Sequence, residues 1–321
     1  MTRHQATTIF VLSAALFAMC SATPALADTY KILHTFKKTD GQGPKASMIF
    51  DASGKLYSTT FGGGANNNGT VFQMTHQKDG DWSESVLYSF CPSTGCADGS
   101  GPQGSLIFDT KGNLYGTTTV GGSAGGGVVF ELKAGPKNTW TESVLYNFCS
   151  LTNCTDGEEP WAAVIFDASG NLYGTAKKGG ANAQGVVFKL APGAGGTWTE
   201  SVLYSFCALS DCADGATPYS DLIFDASGNM YGTTFGGGTT SNSGCPSMDD
   251  RCGTVFELSP ATGGTWTHQV IYSFNFTDGS DSENGVVFDT HGNLYGNTSR
   301  GGSGEGGVIY ELSPAGGGTW T

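Results

Sequence analysis

Residues 106–148 read LIFDTKGNLYGTTTVGGSAGGGVVFELKAGPKNTWTESVLYNF, and this stretch decides the fold. It holds four short runs rich in Val, Ile, Leu, Phe, Tyr and Thr. Turns of Gly, Asn, Asp and Pro separate these runs, which is the composition of β-strands joined by tight turns. The apolar residues do not follow the period of about 3.6 residues that marks an amphipathic helix. The stretch therefore predicts one small antiparallel sheet.

The same unit occurs five times along the chain. The aspartate that closes the first run of each copy lies at Asp51, Asp109, Asp167, Asp225 and Asp289, so three spacings are 58 residues and the last is 64. Four strands per unit, with a continuously apolar first strand and an alternating last strand, are typical of propeller blades. We predict an all-β fold, a five-bladed β-propeller of four-stranded antiparallel blades that forms a single domain over residues 28–321.

The two ends of the chain indicate how the ring closes. Residues Thr29–Phe36, TYKILHTF, match the fourth run of the other copies, whereas the sequence stops at Thr321, where the fifth copy's fourth run begins. We therefore expect the N-terminal strand to complete the last blade. The abrupt end leaves open that the sequence is a piece of a longer repeat array. A parallel β-helix is less favoured because its coils are usually shorter.

The first 27 residues have the pattern of a signal peptide. A basic start at Arg3 precedes an apolar stretch from Ile9 to Met19, and small residues precede Asp28. A lipoprotein anchor at Cys20 is the alternative, although lipoprotein signals need a small residue before the cysteine. No later run approaches the roughly 20 apolar residues that span a bilayer. We expect export to an extracellular, cell-surface or periplasmic location.

Charge and cysteine content agree with export. The formal net charge is −13, and a chain this acidic repels phosphate backbones, which argues against nucleic acid as a partner. After Cys20, eight cysteines form four sequence-local pairs, which predict disulfides. The pairs are Cys91 with Cys96, Cys149 with Cys154, Cys207 with Cys212, and Cys245 with Cys252. Zinc is the alternative, but the pairs lie in separate repeats without a neighbouring His.

The motifs GNLYGTT and GTVFEL are repeated along the chain, best seen at Asn229–Leu258 and in a related form at Asn113–Leu132. They resemble the GloVer tandem repeat of bacterial exported proteins of the choice-of-anchor type. The resemblance spans residues 30–321. It implies a secreted bacterial repeat protein, usually of unassigned activity, in which the repeats precede a C-terminal surface anchor. No anchor follows Thr321 in the printed sequence, so attachment to the cell surface stays open.

Catalytic motifs are sparse. The four histidines after the signal lie in different repeats at unlike positions, so we predict surface or strand roles for His34, His76, His268 and His291. A GxSxG string at Gly121–Gly125 precedes a strand and not a helix, which predicts a glycine turn. The sequence lacks HExxH, a phosphate-binding loop and a full calcium loop. We assign no catalytic residue, no metal ligand and no cofactor.

Acidic residues recur at two places in the repeat. One set closes the first runs, and the other lies in Asp-Gly turns at Asp98, Asp156 and Asp214, with counterparts at Asp40 and Asp278. Aspartate hydrogen-bonds nearby backbone amides in turns, so we predict turn roles for both sets. Calcium is the alternative if several carboxylates converge on the central channel.

Functional variation is expected where the repeats disagree. Just after Pro44, Pro102, Pro160 and Pro218, four equivalent positions hold Lys45, Gln103, Trp161 and Tyr219, which we expect to share one rim. The predicted ligand-binding residues there are Trp161, Tyr219, Glu158, Glu159 and Asp221. The aromatic rings are suited to stack on a sugar and the carboxylates to bind its hydroxyls. The alternative is that these side chains only cover the disulfide loops.

Three classes of function remain. The sequence favours a noncatalytic exported propeller that binds a glycan, a surface component or a partner protein, because no set of acid, base and nucleophile is present. A hydrolase or lyase acting on polysaccharides or lactones is the second class, and a structural envelope module is the third. A ten-residue insert within Thr239–Arg251 is either an interaction loop or tolerated drift. The oligomeric state is not predicted.

Overall fold

The structure, a computed structural model, describes residues 30–239, 245 and 252–321. The predicted signal peptide, the first residue of the predicted closing strand at Thr29, and most of the insert lie outside these residues. Leu33–Thr321 form one compact unit. The described residues contain strands, turns and 3-10 helices but no α-helix, so the predicted all-β five-bladed propeller is confirmed.

The first three blades are four-stranded antiparallel sheets with strands in sequence order. The first contains β1 (Ile49–Phe50), β2 (Leu56–Thr60), β3 (Thr70–His76) and β4 (Trp82–Ser89); the second contains β5 (Ile107–Phe108), β6 (Leu114–Thr118), β7 (Val128–Ala134) and β8 (Trp140–Asn147); the third contains β9 (Ile165–Phe166), β10 (Leu172–Ala176), β11 (Val186–Pro192) and β12 (Trp198–Ser205).

The fourth blade gains a strand and the fifth lacks one. The fourth contains β13 (Ala216–Pro218), β14 (Ile223–Phe224), β15 (Met230–Gly236), β16 (Thr254–Pro260) and β17 (Trp266–Ser273); the fifth contains β18 (Val287–Phe288), β19 (Leu294–Asn297) and β20 (Ile309–Leu312), and a hairpin of β21 (Pro314–Gly316) and β22 (Thr319–Trp320) follows. In the described part of the chain, five 3-10 helices lie in turns, at Pro136–Asn138, Thr152–Cys154, Ala194–Gly196, Ser210–Cys212 and Thr262–Gly264.

The hairpin between the first two strands of a blade depends on its aspartate. Asp225 Oδ1 accepts hydrogen bonds from the amides of Ser227 at 2.8 Å and Asn229 at 2.9 Å. Its Oδ2 accepts one from Asn229 Nδ2 at 2.8 Å. Gly228 has a φ of 85°, the left-handed conformation that glycine adopts without strain. The predicted turn role of this aspartate set is confirmed.

Neighbouring blades pack through phenylalanines at the ends of their fourth strands. Phe148, which follows β8, meets Phe188 in β11 edge to face with centroids 4.9 Å apart. Both rings are completely buried. Phe206 and Phe256 repeat this contact at 5.1 Å between the third and fourth blades. The core therefore lies between the sheets, so a single blade is not expected to be stable alone.

The start of the compact unit packs against the first blade in the same way. Phe36 meets Phe72 in β3 edge to face at 5.1 Å, so it occupies the place that Phe148 has relative to the third blade. However, this segment is not a strand, and no ladder joins it to β20 in the described part of the chain. The predicted closure is corrected on this point. The third strand of the fifth blade is only four residues long, and Ile309 on it is 87% exposed.

Four disulfides join the predicted cysteine pairs. Disulfides form and persist in oxidising compartments, which supports an extracellular or periplasmic location. Within the described residues, no helix has the length and apolar character required to cross a bilayer.

Candidate functional site

The loops that join the fourth strand of one blade to the first strand of the next meet at one end of the propeller. They surround a cavity of about 510 Å³ to which all five repeats contribute. We call this cavity the mouth and define it by Lys45, Gln103, Trp161, Tyr219, Asp221 and Glu283. The predicted rim residues Lys45, Gln103, Trp161 and Tyr219 therefore lie together.

A repeated backbone turn brings each loop into the mouth. Glu159 and its counterpart Thr217 have positive φ values of 56° and 58°, and a proline follows each of them. The amide of Glu159 donates to the carbonyl of Gly126 in the preceding repeat at 2.9 Å, and its carbonyl accepts from Lys177 at 3.0 Å. The turn is thus held by both neighbouring segments, which fixes the position of the residue after the proline.

Trp161 and Tyr219 form an aromatic pair on one side of the mouth. Their rings meet edge to face, with centroids 5.2 Å apart and planes at 89°. The ammonium group of Lys177 lies 4.6 Å from the Trp161 centroid and 4.9 Å from the Tyr219 centroid. Tyr219 also meets Phe235 edge to face at 5.4 Å. These contacts hold both rings in fixed orientations.

Glu159 supports the pair indirectly. Its carboxylate lies 3.5 Å from the Lys177 ammonium and accepts a hydrogen bond from Lys178 at 2.7 Å. Burial acts to raise the pKa of Glu159, but the two lysines outweigh burial and lower it. The neighbouring Glu158 pairs through its backbone with Lys178 and does not line the mouth. Of the five predicted residues, Trp161, Tyr219 and Asp221 line the cavity, and Glu159 acts behind them.

Asp221 links two loops at the mouth. Its Oδ1 accepts a hydrogen bond from the Ala163 amide at 2.6 Å, just as Ser105 Oγ accepts one from the Ser47 amide at 3.1 Å. Asp221 is exposed to solvent at the cavity, although many protein atoms surround its carboxyl group. This desolvation raises the pKa of Asp221, although the Ala163 amide acts in the opposite direction. No hydrogen bond to Oδ2 is found among the described residues, so one carboxylate oxygen is available to a ligand.

The opposite side of the mouth is polar. Lys45 Nζ donates to Gln103 Oε1 at 3.0 Å and lies 4.3 Å from the centroid of Phe61. Phe61, Lys177 and Phe235 occupy the same position in the first, third and fourth repeats, directly after the LYGTT-like sequence. Sequence reasoning missed these three supporting residues, although their shared position in the repeat was the signal that identifies them.

The structure also locates the GxSxG string and the side chains able to share a metal ion. The GxSxG string lies in the turn between β6 and β7, as predicted. In the described part of the chain, a group of three side chains able to share a metal ion occurs only at His34, Asp40 and Glu84, which is not at the mouth. The alternative of calcium at the channel therefore gains no support from these residues.

Comparisons with known proteins agree with the repeat pattern. The sequence matches the family model of the Gloeobacter/Verrucomicrobia repeat over residues 13–246, well over half of the chain. No curated protein matches it.

Two solved structures illustrate the similarity in fold, both at low sequence identity. An ulvan lyase of polysaccharide lyase family 25, bound to a glucuronate and sulfated rhamnose unit, is 13% identical with a TM-score of 0.53, and the match covers 88% of this chain and 72% of the lyase. A family 43 endo-arabinanase from Bacillus licheniformis is 12% identical with a TM-score of 0.43, over 90% of this chain and all of that one. At 13% identity, the similarity to the ulvan lyase indicates the fold alone.

Proposed function

This chain belongs to the Gloeobacter/Verrucomicrobia repeat family, and we propose that it is an exported, noncatalytic propeller that binds carbohydrate at its mouth. The observation that carries the proposal is the aromatic pair of Trp161 and Tyr219, held by Lys177 beside an open cavity. The four disulfides support the exported location.

The two sides of the mouth match the two kinds of surface that a sugar ring presents. A pyranose has an apolar face of C–H groups, which packs on aromatic rings, and a rim of hydroxyls, which need hydrogen-bond partners. Trp161 and Tyr219 supply the aromatic surface. Gln103 and the unpaired oxygen of Asp221 supply polar partners. The cavity volume of about 510 Å³ lies within the range of small-ligand sites.

The charges of the mouth favour a neutral saccharide over a polyanion. At or beside the cavity, three cations stand against three carboxylates: Lys45, Lys177 and Lys178 against Asp221, Glu159 and Glu283. The mouth thus has no excess of positive charge to bind uronate or sulfate groups. The similarity to the ulvan lyase adds only that a propeller of this general shape holds a saccharide polymer in another protein.

The test is a glycan array, followed by calorimetric titration of the bound glycans. Trp161→Gln and Tyr219→Gln introduce the residue that the second repeat carries as Gln103, so the loop is expected to keep its fold. We expect each variant to weaken binding by about 1–3 kcal/mol, or roughly 5- to 150-fold. Lys45→Gln is the matched change across the mouth and is expected to have a smaller effect. Binding that is equal in all four proteins contradicts the proposal, and the absence of any glycan ligand favours the structural-module alternative.

A polysaccharide- or lactone-directed hydrolase or lyase is the second candidate, and Asp221 is the observation that favours it. A carboxyl group with a raised pKa is suited to donate a proton. Incubating the bound glycan with the protein and analysing the products by mass spectrometry tests this function. Products that form with the parent and not with Asp221→Asn support catalysis. No products from the parent reject it and leave binding as the function.

A further inference from the structure

Three side chains of different types meet where the N-terminal segment contacts the first blade. His34 Nε2 lies 3.1 Å from Asp40 Oδ2. One ring nitrogen of His34 and one carboxylate oxygen each of Asp40 and of Glu84, on β4, all lie within 4.8 Å of one another. His34 also meets Phe36 edge to face at 4.8 Å, which orients the imidazole.

The same three positions recur between the other blades but hold different chemistry. Between the first and second blades they are Tyr88, Asp98 and Glu142, and the Tyr88 hydroxyl donates to Asp98 at 2.7 Å. The two following interfaces repeat this bond, from Tyr146 to Asp156 at 2.8 Å and from Tyr204 to Asp214 at 2.6 Å. A protonated phenol is a hydrogen-bond donor and a poor metal ligand, whereas a neutral imidazole nitrogen is a good one.

We propose that His34, Asp40 and Glu84 form a binding site for a divalent transition-metal ion of the Zn²⁺ type. One imidazole nitrogen and two carboxylate oxygens are a ligand set that zinc accepts, with a fourth position left for water. Glu84 Oε1 is buried and has no hydrogen-bond partner, like Oε1 of Glu142 and Glu200. Only beside Glu84 does an imidazole replace the tyrosine, so a bound ion is able to supply the missing partner there. The His34 and Asp40 side chains are 23% and 20% exposed, which gives the ion a route from solvent.

The site has a structural consequence. Two of its ligands belong to the segment that leads into the first blade, and the third belongs to β4. A bound ion therefore fastens this segment to the first blade by ligand bonds. The segment has no ladder to the fifth blade among the described residues, so this attachment to the first blade adds to the packing of Phe36 on Phe72. Metal binding is then linked to thermal stability, because an ion that binds only the folded state stabilises it.

The test uses the exported chain, purified without a histidine tag and stripped with chelator. We expect calorimetry to find one Zn²⁺ per chain, and Zn²⁺ to raise the melting temperature. His34→Tyr restores the residue of the other repeats and keeps a donor to Asp40, so it is expected to fold normally but to lose affinity by about tenfold or more. Glu84→Gln is expected to lose affinity to a similar degree.

His291→Gln is the matched control, because His291 lies near Asp289 at 3.6 Å on the surface and has no third ligand among the described groups. This variant is expected to bind Zn²⁺ like the parent. The proposal is overturned if the parent binds no Zn²⁺, or if His34→Tyr, shown by circular dichroism to be folded, binds as tightly as the parent. Loss of the signal in His291→Gln also overturns it, because binding then occurs at the surface.

Discussion

Tyr204 and His268 lie flat against each other across the interface of the third and fourth blades, with ring centroids 4.1 Å apart and planes inclined by 7°. The equivalent of His268 is Glu142 in the second blade and Glu200 in the third. In each case the side chain has a buried polar atom, His268 Nε2 or the Oε1 of a glutamate, with no hydrogen-bond partner among the described residues. Each of these interfaces thus buries one titratable group, which makes propeller stability depend on pH.

His268 makes the protein less stable as the pH falls. Burial lowers the pKa of His268 to about 4, although the charge of Asp214 acts the other way. The unfolded chain therefore takes up this proton below about pH 6.5 while the folded chain does not. We expect His268→Gln to remove a stability loss of roughly 1–2 kcal/mol at about pH 5, measured by urea unfolding. The exposed His291→Gln is the control, and an equal effect of both variants contradicts the assignment.

The two glutamates act in the opposite direction. Burial, reinforced by Asp98 for Glu142 and by Asp156 for Glu200, raises each pKa to about 7. Their stabilising contribution to the free energy of unfolding is complete below about pH 4.5. It is lost as the pH rises through about 7, because the unfolded chain releases these protons at a lower pH than the folded chain. Gln is the neutral analogue of the protonated side chain.

We therefore expect Glu142→Gln to be more stable than the parent by about 1–3 kcal/mol at about pH 8, and equal to it at about pH 4.5. Urea unfolding at both pH values measures the difference. Glu305→Gln, at an exposed turn, is expected to change stability little at either pH. If Glu142→Gln destabilises the protein at high pH, the glutamate is ionised in the folded state and the interface account is wrong.

We predict that the disulfides hold loops in place and are not required for the fold. The loop after the fourth blade contains no cysteine, yet Tyr272 still donates to Asp278 at 2.8 Å, as Tyr204 does to Asp214. We expect replacement of Cys207 and Cys212 by Ser to cost about 2 kcal/mol, the chain-entropy value for so short a loop. Urea unfolding of the variant measures this cost. Complete unfolding of the double variant at 25 °C contradicts this prediction.

The turn aspartates contribute separately from the blade interfaces. We expect Asp225→Ala to destabilise the protein by about 2 kcal/mol at neutral pH, because it removes the acceptor of four hydrogen bonds in the hairpin. Asp225→Asn retains one carbonyl oxygen for the two amides and is expected to cost less. Chemical denaturation of both variants tests the ranking. Equal losses show that the charge, and not the turn geometry, provides the stabilisation.

The repeat made most of the fold predictable from the sequence. Asp225, Phe206 and their counterparts recur in every unit, so several copies support the same prediction of strands and turns. The hydrogen bonding of the last blade was not predictable, because it depends on how far β20 extends before the chain leaves the sheet. β20 has only four residues, whereas the equivalent strand β16 of the fourth blade has seven.

The candidate site was predictable only in part. The position after each proline identified Trp161 and Tyr219, because unlike residues at one repeat position indicate variation that the fold does not require. The contacts of Lys177 with the aromatic pair, and of His34 with Glu84, were not predictable, because they join residues that are far apart in the sequence. Aligning TYKILHTF with TESVLYSF places His34 at the tyrosine position, so the signal for the proposed metal site was present in the repeat alignment.

Indole resonances in ¹H–¹⁵N NMR spectra test the central claim most directly. The chain has six tryptophans, and Trp161 lines the mouth, while the other five occupy the shared position at the start of the fourth runs. Trp161 Nε1 has no hydrogen-bond partner in the described structure. On titration with a glycan selected by the array, we expect the resonance that disappears in Trp161→Gln to shift strongly and the other five to move little. A bound glycan that leaves the Trp161 resonance unchanged contradicts the account.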